Sequence, residues 1–101
     1  MNIAKLMKQA QQMQAEAQKM QAELATKKYE ATSGGGAVKA VASGEGSLLS
    51  LKIDPAIVKE GDAEMLEDLI LSAVRDAIDQ GRKEAQASMS KLTGGMGLPG
   101  F

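Results

Sequence analysis

Apolar residues recur along the first quarter of the chain at alternating intervals of three and four: Ile3, Leu6, Ala10, Met13, Ala17, Met20 and Leu24. This is an unbroken a/d heptad pattern, the mark of a helix packed along a narrow seam. The intervening Gln, Glu, Lys and Ala are good helix formers. The spacing predicts a helix from about Asn2, a suitable cap, to about Lys27, roughly 38 Å long.

The period then changes. "YEATS" reads as a short edge strand and "GGG" at 34–36 as a break. "AVKAVAS" and "SLLSLKID" follow, separated by "GEG" at 44–46. Leu49, Leu51 and Ile53 alternate with Ser50 and Lys52, which is strand periodicity, and the glycine-containing gap suggests a hairpin. After this, Asp54 and Pro55 are placed to cap and start a single helical turn that Gly61 ends. Asp62 caps a second long helix, in which Leu66, Leu69, Ile70, Ala73, Val74, Ala77 and Ile78 form a broad apolar stripe. Gly81 interrupts the stripe at a cost of about 1 kcal/mol against Ala. Ala85, Met89 and Leu92 continue a thinner seam to an end near Thr93–Gly94. The expected class is α+β: an α-β-β-β-α protomer with a small antiparallel sheet. Residues 1–93 form a single domain and residues 94–101 a mobile, glycine-rich tail.

The lengths do not match. A six-residue strand spans about 20 Å, so both long helices project beyond the sheet. Their Met/Ala seams would lie in water in a lone chain. Composition sharpens this: one Tyr, one Phe and no Trp leave the core without its usual large anchors. With no cysteine, disulfides are excluded as a support. With no His either, a zinc, haem or iron–sulfur site is not expected. What remains for so thin a core is a second subunit. The expectation is a homodimer held by Leu6, Met13, Met20, Leu49, Leu51, Ile53 and Leu69 as dimer and core packing residues.

Charge adds a direction. The formal net charge is only −1, but residues 1–28 hold five Lys against two Glu, while in residues 61–79 six acids face Arg75 alone. Segregation of this kind hints at a functional face. Catalysis is poorly provided for, with no triad arrangement of Ser with a base, and no enzyme activity is expected. The GGG run lacks the G-x-x-x-x-G-K-[ST] of a phosphate loop. Met7, Met13 and Met20 suit either a peptide-gripping groove or, given the heptads, a packing seam. That leaves the lysines. Lys5 and Lys19 fall at heptad position c and Lys8 at f, pointing away from the seam beside Gln11, Gln12 and Gln18. Arg82, Lys83 and Lys91 lie near the far end of the second helix. They are either an ordinary solvated face or a surface for phosphates, where Lys supplies charge and Gln hydrogen bonds. Scarce aromatics argue against binding single strands by base stacking. No membrane span and no apolar leader stand out, so a cytoplasmic protein is expected.

Five segments, "LMKQAQQMQ", "GGGAVK", "IDP", "EMLEDLI" and "TGGMGLP", follow one another in an order that resembles the YbaB/EbfC family of nucleoid-associated proteins. The resemblance covers nearly the whole chain. It implies a homodimer with the sheets at its centre and the long helices projecting as a pair of arms, like tweezers, that bind double-stranded DNA. It also implies association with the nucleoid and a part in gene expression. Lys5, Lys8, Lys19, Arg82, Lys83 and Lys91 are then the candidate DNA contacts. No cofactor, metal, membrane or small-molecule substrate is called for. The competing function is a chaperone-like or adaptor dimer that grips protein clients through Met-rich arms.

Overall fold

The computed structural model describes residues 2–95, and the side chains within 2–91. Leu92 as a seam residue and residues 96–101 of the expected tail lie outside those limits, while residues 94 and 95 of that tail belong to the last helix. Helix α1 spans Ile3–Thr26, and the Asn2 side chain accepts a hydrogen bond from the Lys5 amide at 3.1 Å. Strands β1 (Lys28–Ser33), β2 (Val38–Ser43) and β3 (Leu48–Ile53) form one antiparallel sheet in the order β1-β2-β3. A short helix, α2 (Pro55–Lys59), is capped by Asp54, and α3 (Ala63–Gly95) is capped by Asp62, whose carboxylate accepts from the Met65 amide at 3.0 Å. The expected order and class are what the chain adopts.

The core is built from small residues. Ala31, Ala40 and Ala42 on the sheet, with Val38, face Ala73 and Ala77 of α3. Small side chains on both layers let the helix lie close over β1 and β2, so the contact is tight although no aromatic ring anchors it. Gly81 belongs to the same surface. A Cβ there would come within 3.1 Å of both the Ser43 carbonyl and the Tyr29 ring. The glycine that looks like a flaw in the helical pattern is thus a point of close approach between α3 and the sheet. Two bonds tie α3 to β1: the Ser33 hydroxyl donates to the Leu69 carbonyl at 2.6 Å, and the Gln80 amide donates to the Glu30 carbonyl at 3.1 Å.

The alternation expected along β3 breaks at one residue. Val41 pairs with Ser50 but Ala42 pairs with Leu48, so Leu49 is the extra residue of a β-bulge. It lines the face of the sheet remote from α3, with Val41 and Ser50, and does not share the face of Leu51 and Ile53. Nor does α3 cover β3. Leu51 is 37% exposed, while Ile53 and Leu69 are half-buried against the core.

Helix α1 is fastened at one end only. The Gly44 amide, in the β2–β3 turn, donates to the Leu24 carbonyl at 2.9 Å, and Lys27 pairs with Glu84 of α3 at 2.5 Å. From that joint α1 runs outward. The described chain measures 69 × 25 × 16 Å with a radius of gyration of 19.5 Å, against about 13 Å for a compact chain of this length.

Candidate nucleic-acid interface

Along α1 the seam passes from covered to bare. Leu24 is buried, and Met20, Ala17 and Met13 are half-buried. Leu6 is 48% and Ile3 69% exposed. Met20 and Leu24 share a hollow with Ala85 and Met89 of α3, so within one chain the cover comes from α3 and fails towards the tip. Opposite the seam, Lys5, Lys8 and Lys19 are all exposed. At 3.6 residues per turn they fall within roughly 60° of one another. The helix gathers them on one face, where at the same pitch the exposed Glu16 and Glu23 also fall.

The cations of α3 are not gathered in this way. Arg82, Lys83 and Lys91 are exposed, but at the same helical pitch they spread over about 180°. Lys83 lines a hollow with Glu30, Asp76 and Asp79. Lys91 lies two turns on from Glu84 and helps to hold its carboxyl below the usual carboxylate range, after the larger effects of the Lys27 hydrogen bond and the neighbouring Tyr29 hydroxyl. Lys27 is correspondingly held above its ordinary value by the Glu84 carboxylate. The Tyr29 hydroxyl beside them is buried without a hydrogen bond of ordinary length among the described residues. Burial first, and Glu84 second, push it up to about 12.

Three further lysines stand outside the candidate contacts read from the sequence. The sheet face remote from α3 carries Lys28 on β1, Lys39 on β2 and Lys52 on β3, with Glu30, Val41, Leu49 and Ser50. Lys39 and Lys52 stand directly opposite one another across the strands. The signal that could have found them is period two: each alternates with a residue on the α3 side, Lys39 with Val38 and Ala40, and Lys52 with Leu51 and Ile53.

The apolar candidates divide by place. Leu51 lies on the α3 side of β3, beyond the reach of the helix, on the side of the sheet that Leu48 also faces across from Ala42. Leu71 of α3 is 51% exposed. Leu6 stands at the bare end of α1 and Leu49 on the open sheet face.

Residues 1–96 match the model of the YbaB/EbfC DNA-binding family. The chain is 52% identical over 100 residues to a nucleoid-associated protein of Thermoanaerobacter sp. (strain X514), covering 99% of this chain and 90% of that one. It is 48% identical over 100 residues to a nucleoid-associated protein of Clostridium botulinum, covering 99% and 88%. In fold it is similar to an uncharacterized protein of Helicobacter pylori, with a TM-score of 0.72 at 24% identity, over 95% of this chain and 97% of the other. Among the described residues no helix is long and apolar enough to cross a membrane.

Proposed function

The chain belongs to the YbaB/EbfC DNA-binding family, and from that premise we propose that it is a nucleoid-associated protein that binds double-stranded DNA as a homodimer, with little sequence specificity. The observation that carries this is the stripe of Lys5, Lys8 and Lys19 on an arm that leaves the body of the molecule. Lysines on a projecting helix can reach phosphates without steric obstruction from the body. Lysine is a flexible point charge suited to phosphate, and phosphate contacts position the protein without selecting sequence. The α3 cations contribute singly, from separate sides of that helix.

Dimerisation accounts for the apolar surface. Leu48 and Leu51 leave an uncovered apolar flank on β3, Leu71 leaves exposed apolar surface on α3, and Ile3 and Leu6 leave an uncovered seam. A second copy supplies what the single chain lacks in each place. Residues 1–93 act as one unit in this arrangement, and binding to the chromosome gives the protein its place in the nucleoid.

The test is a binding titration against two unrelated duplexes at several salt concentrations. Engagement of about four phosphates gives a slope of log K against log salt near −3.6, with similar affinity for both duplexes. The bare tip of Ile3, Leu6 and Met7 favours one second reading, a client-gripping adaptor. Binding that persists undiminished as salt rises would select it, because apolar contacts are not weakened by counterions.

A further inference from the structure

We propose that the open face of the sheet is a second phosphodiester-binding surface, in which Lys28, Lys39 and Lys52 hold the duplex against the body of the molecule while the α1 stripe holds it at the arm. The proposal rests on the DNA-binding function proposed above and assigns it residues outside the helical arms.

An antiparallel sheet commonly leaves one face to water, so polarity alone says nothing about a partner. The arrangement of charge says more. Lys39 and Lys52 are a direct cross-strand pair, and like charges so placed are destabilising. Only one carboxylate answers them: Glu30 pairs with Lys39. Among the described residues Lys52 and Lys28 are in no ion pair. Three cations and one anion on a single exposed face leave a local surplus of about two positive charges in a chain whose net charge is −1. The acids that balance the chain sit elsewhere, at the start of α3, in Asp62, Glu64, Glu67 and Asp68.

The spacing suits a backbone. Lys39 lies opposite Thr32, and Lys28 is four residues back along β1, about 14 Å at strand rise. One strand of B-DNA presents a phosphate every 3.4 Å of helix axis, so the ends of the face fall about four steps apart. Val41 and Leu49 lie between the charges, where an uncharged sugar edge would rest. The face also adjoins the arm: Lys28 opens β1 two residues after α1 ends at Thr26. Lysine heads over a flat, pleated surface match a smooth run of phosphates; a folded basic partner would be repelled.

The experiment uses the full chain. A Lys28→Gln/Lys39→Gln/Lys52→Gln variant removes the charges, keeps polar side chains one atom shorter, and alters no residue on the α3 side. Its affinity for two unrelated duplexes should fall at least about tenfold at low salt, and equally for both. The salt slope should shrink by about 0.9 for each phosphate no longer engaged. A parallel measurement on the unaltered protein does not depend on the variant's folding. Acetylation of lysines, read by mass spectrometry, should show Lys28, Lys39 and Lys52 protected on adding duplex DNA, while Lys59 in α2 stays reactive. Unchanged slope and affinity in the variant, with no added protection in the unaltered protein, would overturn the proposal and leave the arms to bind DNA alone. Protection already complete without DNA would overturn it in favour of an interface between copies. An unaltered protein that binds neither duplex at any salt concentration would instead remove the DNA-binding function itself.

Discussion

At the scale of single residues, two glycines and one tyrosine do work that their type does not announce. A Cβ on Gly44 would lie 2.5 Å from the Leu24 carbonyl oxygen and 2.9 Å from its Cβ, so Gly44 is what allows the turn to grip the end of α1. Gly44→Ala should cost about 2–3 kcal/mol, from overpacking against backbone and loss of the hydrogen bond. It should also speed amide exchange in the last turn of α1, read by hydrogen exchange. Gly81→Ala is a finer case. The helix gains about 1 kcal/mol, but Ser43 and Gly44 meet the new methyl with backbone atoms at 3.1 and 3.3 Å and cannot swing aside. A net loss of about 1 kcal/mol is expected in thermal melts; a gain would mean that α3 can lift off the sheet cheaply. Tyr29 offers a direct readout, since it is the only tyrosine and there is no tryptophan. Its hydroxyl is raised in the fold to about 12 from an ordinary 10.0. The folded state therefore keeps a proton that the unfolded state gives up. That contribution to stability is complete below pH 10 and is lost as pH rises towards 12, and Lys27, also raised, acts in the same direction. Phenolate absorbance should appear above pH 10 and coincide with alkaline unfolding. Titration at the ordinary value in a still-folded protein would show that the ring is not buried.

Among the elements, α1 divides its labour between two faces. The seam side is graded from buried at Leu24 to bare at Ile3, and the opposite side carries the lysine stripe. Lys5→Ala/Lys8→Ala removes two charges without touching the seam, and Ala is the better helix former. The variant should keep its melting temperature and oligomeric state. It should lose affinity for all duplexes about equally, and its salt slope should fall by about 0.9 for each phosphate contact that the two protomers of the dimer lose. Unaltered affinity would move the arm's binding surface to Arg82, Lys83 or Lys91. Lys27 is unsuitable for this test, because its pairing with Glu84 mixes binding with the attachment of α1.

For the whole molecule, the elongated shape and the uncovered apolar flank point the same way. The chain mass is 10.6 kDa, and light scattering at micromolar concentration should report about twice that. Leu51→Asp and Leu71→Asp place a carboxylate on exposed apolar surface where a second copy would desolvate it. Because both positions are exposed in the single chain, each variant should keep its helical circular dichroism at low temperature while shifting towards the monomer mass. A dimer that survives both substitutions would place the interface elsewhere, with the α1 seam the next surface to test. A stable, compact monomer of the unaltered chain would remove the dimer altogether.

The boundaries of the elements were legible in the sequence because they are set locally. Heptad spacing, the caps at Asn2, Asp54 and Asp62, and the glycine-rich turns depend on residues a few positions apart. The lysine stripe of α1 was legible for the same reason: a helix converts spacing directly into a face. Three things were settled only by the tertiary structure. The bulge at Leu49 depends on how β2 and β3 pair, so local alternation placed that residue on the wrong face. The value of Gly44 and Gly81 depends on which backbone passes within a methyl's width of them, and the partners, Leu24, Tyr29 and Ser43, are far away in the chain. The cationic sheet face, finally, assembles Lys28, Lys39 and Lys52 from three strands. Each is an ordinary outward lysine in its own strand, and they become a surface only because antiparallel pairing sets strands side by side at about 4.8 Å. Periodicity along one segment carries no information about that neighbour.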